Sequence, residues 1–228
     1  MKTVKIGGKE VDFPTSWHEV KFKKFQSFYD LMSNQKTPEE LEKEYSELDD
    51  DIRHLQISLD NVKLNTKIVS FWSGMSEEEV SMCDLNEVED ALKAMDFVND
   101  TYQPIVLSKF THNDETYYLP EVGMTNENFG TYVEAEQVEL NNKMLKKGHL
   151  EVIPKQAAII CKKEGEKRGL INDKLVEERT KLFQDLDMAT IWDIGFFLSK
   201  QENKLMNNIL ISLKGEMMRK QMQQPKEQ

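Results

Sequence analysis

The chain has 228 residues and a formal net charge of −11, with 39% hydrophobic and 31% charged residues. A length of this order fits one large domain or two small ones around a sizeable core, and the acidic balance disfavours duplex nucleic acid and anionic membrane surfaces, both of which need clustered Lys and Arg. No run of about eighteen apolar residues occurs, so no membrane-spanning helix is expected, and the alternating start MKTVKIGGKEVDF lacks the apolar stretch of a secretory leader.

The first predicted element is a β-hairpin. Gly7-Gly8 supplies the positive φ values of a tight two-residue turn, which places Val4 opposite Val11 and Ile6 opposite Lys9. Val4, Ile6, Val11 and Phe13 then share one apolar face, and Pro14 ends the ladder because it has no N–H to donate. In TSWHEVKFKKFQSFYDLM the apolar residues fall near helical spacing, so a helix is expected to run to about Met32. A loop follows, and Thr37-Pro38-Glu39-Glu40 carries the N-cap, N1 proline and N3 glutamate of a capping box.

From there Leu41, Tyr45, Leu48, Ile52, Leu55, Leu59 and Val62 alternate spacings of four and three among polar residues. The pattern predicts one long helix over about 38–63 with a narrow apolar stripe, suited to lying along a partner. An ordinary helix pair within the chain is the alternative. LNTKIVSFWSGM reads as a separate short apolar segment, and Ser76 and Asn86 each open a further short helix of capping-box type.

A second hairpin is predicted around Asn113-Asp114, residues that tolerate the left-handed region, with Phe110, His112, Tyr117 and Leu119 on one face and Pro120 closing it. Phe110, Asn113, Tyr117 and Pro120 repeat the pattern of Val4, Gly7, Val11 and Pro14 at one constant spacing. The expected architecture is therefore α+β and predominantly helical. Two pseudo-repeated units, about 1–103 and 104–221, each hold a hairpin followed by helices, with the hairpin's apolar face packed against the helix that follows it, and 222–228 form a polar tail. In the second unit helices are expected from about Asn126 to Lys147, in IPKQAAIICKKEGE, over Leu175 to Phe183, and along Ile191, Ile194, Leu198, Leu205, Ile209, Leu213 and Met217.

Chemical constellations are sparse. His18, His54, His112 and His149 have no second His or Cys at helical ligand spacing, and Cys83 and Cys161 form no metal or redox motif, which points to buried thiols in a reducing compartment. Asp49-Asp50-Asp51 lacks the alternation of a calcium loop and reads as a solvated acidic helix face. KKEGEKRG at 162–169 lacks the order of a phosphate-binding loop and reads as a polar loop. FKKFQSF interleaves aromatic and basic residues as single-strand binders do, although helical spacing would turn its aromatics to the core. No catalytic residue, cofactor or metal site is expected.

The hairpin, then PTSWHEVKFKKFQSF, then KIVSFWSGMSEEEVSMCDLNEVEDALKAMDFV resembles the layout of small proteins of tailed bacteriophages, described as tail assembly chaperones or accessory tail and neck components. LPEVGMTNENFGTYVEAEQ and IPKQAAIICKKEGE extend the resemblance into the second half, while the stretch 38–63 has no counterpart. The resemblance implies a non-enzymatic morphogenesis protein made in the host cytoplasm and working through contacts with other phage structural proteins. It would stay in the virion tail or neck, packed with copies of itself in a ring, or act as a transient chaperone. The candidate partner surface is the stripe Leu41, Tyr45, Leu48, Ile52, Leu55, Leu59 and Val62. An acidic adaptor for a host protein and an enzyme with a dispersed site are the readings from other classes.

Overall fold

The computed structural model describes residues 1–121, 127, 129–145, 148–167 and 172–201. Asn126, Lys147, Met124, Leu205, Ile209, Leu213, Met217 and the 222–228 tail lie outside them. The protein is α+β and predominantly helical, with two small antiparallel sheets. It divides into two compact units, Met1–Tyr102 and a second that begins at Gln103.

The first unit opens with β1 (Lys2–Ile6) and β2 (Lys9–Phe13), paired in the register that the glycine turn dictates, Val4 to Val11 and Ile6 to Lys9. Gly7 and Gly8 have φ of 56° and 75°, the two positive values of the hairpin turn whose twist matches the strands. Val4, Ile6 and Phe13 are buried and Val11 half-buried. The cover for this face comes from further along the chain than the pattern implied. β1 packs on α5 (Leu85–Ala94) and β2 on α3 (Asp50–Ser73), so the apolar face is closed by distant elements and not chiefly by the next helix. The Gly7 amide donates to Glu87 Oε2 at 2.9 Å, and Lys9 pairs with Glu79 at 3.1 Å.

After Pro14 the Glu19 carboxylate accepts from the Thr15 amide (2.7 Å) and hydroxyl (3.0 Å), fixing a single 3-10 turn over Trp17–Glu19. Trp17 is thereby set edge-on to Phe25 (5.6 Å between centroids) and Phe97 (4.9 Å). The Pro-Thr-Ser-Trp junction is thus a device for seating one tryptophan. α1 (Phe22–Ser33) buries Phe22, Phe25 and Phe28, leaves Lys23 and Tyr29 exposed and lays the Lys24 ammonium over the Phe71 and Trp72 rings. The three phenylalanines of FKKFQSF are spent on the core, with Phe28 against Phe71 and Trp72.

The predicted single helix over 38–63 is two helices. α2 (Pro38–Glu44) starts on the full Thr37–Glu40 capping box, the chain turns through 45–49, and α3 runs on to Ser73, taking in the segment that reads as separate in the sequence. The break has local causes. Ser46 and Asp49-Asp50-Asp51 are poor interior helix residues, whereas acidic groups in a first turn are favoured by the helix dipole. The fold-back is then held from outside the turn, where Tyr45 donates its hydroxyl to Asp60 Oδ2 at 2.7 Å and Leu41 is buried. Gly74, in the left-handed region at φ 73°, ends α3. α4 (Glu77–Ser81) begins on a complete Ser76–Glu79 capping box. α5 begins at Leu85 with Asp84 as its N-cap, two residues before the Asn86 N-cap expected, and Glu87, in its first turn, accepts from the Gly7 amide of the hairpin turn.

In the second unit β3 (Lys109–His112) and β4 (Glu115–Tyr118) form the second hairpin, with Phe110 opposite Tyr117, and Asn113 and Asp114 at φ 50° and 62°. The same turn geometry is therefore reached with different residues. Glycine relieves the left-handed strain that Asp114 bears, so Asp114→Gly should stabilise the protein by roughly 0.5 kcal/mol, read as a rise in the urea midpoint. A third strand, β5 (Lys162–Lys163), pairs with β4 and was not legible in the polar KKEGEKRG stretch. Phe110 and Tyr117 stack at 5.4 Å and both meet Phe183 edge-on, at 5.3 and 4.8 Å. Phe183 ends α8 (Asp173–Phe183), so this hairpin face, with Leu119 also buried, is again covered from far along the chain.

α6 spans Phe129–Met144, shorter than the expected 126–147, and packs on the almost wholly buried α7 (Ile153–Ile160). The last described helix covers 188–201, where Gly195 lets Ile153 approach to a distance that a Cβ would not permit. Arg179, 3% exposed, donates to the Cys161 carbonyl at 3.1 Å and pairs with Glu166, while its guanidinium lies 5.7 Å from the Tyr117 ring centroid. Lys162 is buried and donates to the Ile159 carbonyl, and burial lowers its pKa. No helix of the described residues is long and apolar enough to cross a membrane.

Candidate functional site

α3 has two unlike faces over its first half. On one, Ile57, Asp60 and Leu64 turn toward α2 and the end of α1, where a cavity of about 370 Å³ is also lined by Leu41, Tyr45 and Lys67. The Tyr45–Asp60 bond crosses it. The phenol hydroxyl, and after it the Lys63 ammonium, holds the Asp60 carboxyl below its ordinary pKa, and the same bond raises that of Tyr45.

On the opposite face Ile52, Leu55, Leu59 and Val62 are 52%, 66%, 55% and 61% exposed. At 1.5 Å per residue they form a stripe about 15 Å long on one side of the helix. A single exposed Leu is unremarkable, but four large aliphatic side chains in line form a contiguous patch of the kind that marks an interaction surface.

Of the seven residues of the predicted stripe, these four form the free surface. Leu48 lies in the α2–α3 turn at 38% exposure, at the edge of the patch. Leu41 and Tyr45 leave the set, because the break turns their helix back: Leu41 is buried and Tyr45 is tied to Asp60. The heptad spacing survives across the turn while the direction of the side chains does not.

Charge is graded along the stripe. Asp49, Asp50 and Asp51 span the N-cap and first turn of α3, not a helix interior, and only Asp50 forms an ion pair among the described residues, with Arg53. Toward the other end stands Lys63, paired with Asp60 at 3.0 Å. These flanking charges were visible in the sequence, but the overlong heptad placed the acidic triplet mid-helix and hid their role as one end of the surface. A second exposed apolar set, Val133, Leu140 and Met144, lies along α6.

The groups with chemical potential do not converge. His18 sits in the 3-10 turn near Tyr102, His54 on exposed α3, and His112 at the end of β3. Among the described residues no three His, Cys, Asp or Glu side chains are arranged to hold a metal. Cys83 lies beside Gly7, and burial followed by the Glu87, Asp84 and Glu79 carboxylates pushes its thiol up, away from the reactive thiolate. Cys161 is fully buried.

Comparison with protein-family models, with curated proteins and with solved structures finds no match.

Proposed function

We propose that this chain is a non-enzymatic morphogenesis protein of a tailed bacteriophage, a structural component of the virion tail or neck that works through protein–protein contact. The observation that supports contact as its mode of action is the free aliphatic stripe of α3, which lies opposite the face that α1 and α2 occupy. Leaving four such side chains in water forgoes roughly 1.5–3 kcal/mol each relative to burial, a standing incentive to find a partner. The resemblance of the sequence layout to small phage tail and neck proteins supports the setting, and the net charge of −11 supports a protein partner over nucleic acid.

Mass spectrometry of purified virions tests this. Recovery in fixed stoichiometry with tail or neck proteins is the expected result. Recovery only from infected-cell lysate, bound to a tail protein, would make the chain a transient assembly chaperone instead. Absence from both would overturn the proposal.

A further inference from the structure

The charge pattern on either side of the stripe selects a partner. Along α3, Ile52 and Leu59 occupy one position of the heptad and Leu55 and Val62 the other. A second α3 laid antiparallel about a two-fold axis near Ile57 would set Ile52 against Val62 of the other copy and Leu55 against Leu59. In the same register the flanking positions put Lys63 beside Asp49 of the other copy, and Asp49 beside its Lys63. Among the described residues Asp49 makes no ion pair, and Lys63, with its side chain 66% exposed, is paired only with Asp60 one helical step away, a solvent-exposed pair weak enough to be exchanged for Asp49 of the other copy. A parallel pairing would bring two Asp49–Asp51 triplets side by side, where like charges repel. The opposite face of α3 turns toward α2 of its own unit, to which the Tyr45–Asp60 bond ties it, so the stripe is the open side of the helix.

We infer that the stripe takes a second copy of this chain, antiparallel, with two Lys63–Asp49 pairs closing the two ends of one flank; this rests on the reading of the stripe as a contact surface. Such an interface is isologous and closes at two chains, so a ring would be built from dimers through other surfaces. A four-residue stripe is smaller than the roughly 800 Å² per partner of a standard stable interface, which makes the dimer weak and dependent on concentration.

Sedimentation equilibrium of the full chain tests it. The wild type should shift from monomer to dimer below about 100 μM. Leu55→Glu, at an exposed site, should leave the circular dichroism unchanged and remove the dimer. Lys63→Asp should weaken it roughly tenfold, and Asp49→Lys added to it should restore nearly wild-type association. A wild type that stays monomeric, a dimer indifferent to Leu55→Glu, or a double charge swap that fails to restore association would each overturn the inference. A monomeric chain that still binds a tail protein through Leu55 would sink the self-pairing and leave the proposed function standing. A dimer absent from virions and from tail-protein complexes would do the reverse.

Discussion

Replacing Arg179 by alanine is expected to destabilise the second unit by about 2–4 kcal/mol, the order of losing charge-assisted hydrogen bonds to a carbonyl and to a half-exposed carboxylate. The side chain is 3% exposed and holds two elements to α8 at once, the Cys161 carbonyl and the Glu166 carboxylate. Its removal leaves the carbonyl without that donor, strips the guanidinium from beside the Tyr117 ring and leaves the half-exposed Glu166 carboxylate with the Lys163 amide. Arg179→Lys should recover little, because an ammonium cannot present the two-pronged donor geometry.

The pair also sets an acid dependence. Burial pushes the Glu166 pKa up, but the Lys163 amide and the Arg179 guanidinium outweigh it, and the folded value lies below the ordinary 4.5. Stability from this group is therefore present above pH 4.5 and lost as pH falls through the folded value. Urea titrations between about pH 6 and 3 should show that loss in the wild type and a flatter profile in Arg179→Ala.

Phe183→Ala should cost a similar amount, about 3–5 kcal/mol, for a different reason. The ring is fully buried and meets both Phe110 and Tyr117 edge-on, so it is the keystone between α8 and the second hairpin. Its truncation leaves a cavity that a stacked aromatic pair on a short sheet cannot collapse to fill. Phe183→Leu, which keeps most of the volume, should cost about 1–2 kcal/mol. Denaturation followed by circular dichroism reads both. Equal losses for Ala and Leu would show that edge-on aromatic geometry, not volume, carries the contact.

These two sites also show where sequence reading reaches its limit. Both hairpins were legible to the residue, because turn chemistry and two-residue alternation are local: Val4–Val11 and Phe110–Tyr117 pair as the turns require. The Thr37–Glu40 and Ser76–Glu79 capping boxes were legible for the same reason. What covers each hairpin was not. Phe183 lies more than sixty residues beyond Tyr117 in the chain, and nothing near either position announces the contact. Arg179 likewise looks like one more charge on an amphipathic helix until β5 and Glu166 are placed around it.

The candidate site was half legible. Ile52, Leu55, Leu59 and Val62 follow from their spacing. The loss of Leu41 and Tyr45 follows only from the fold-back that the Tyr45–Asp60 bond holds. The acidic triplet at 49–51 was the local sign of a helix start, and an unbroken heptad outvoted it. That heptad stays in phase across the turn because Leu41 and Leu59 answer to different constraints, one to a core and the other to an open surface.

On the proposed function, the α3 stripe is where this protein meets its partners. Light scattering of the purified chain, alone and mixed with candidate tail and neck proteins, tests it most directly when the wild type is compared with Leu55→Glu/Leu59→Glu. The expected result is complexes larger than the monomer for the wild type and only monomer for the variant, with unchanged circular dichroism. A wild type that remains monomeric and binds none of those proteins, or complexes that form equally well with both leucines replaced, would contradict it.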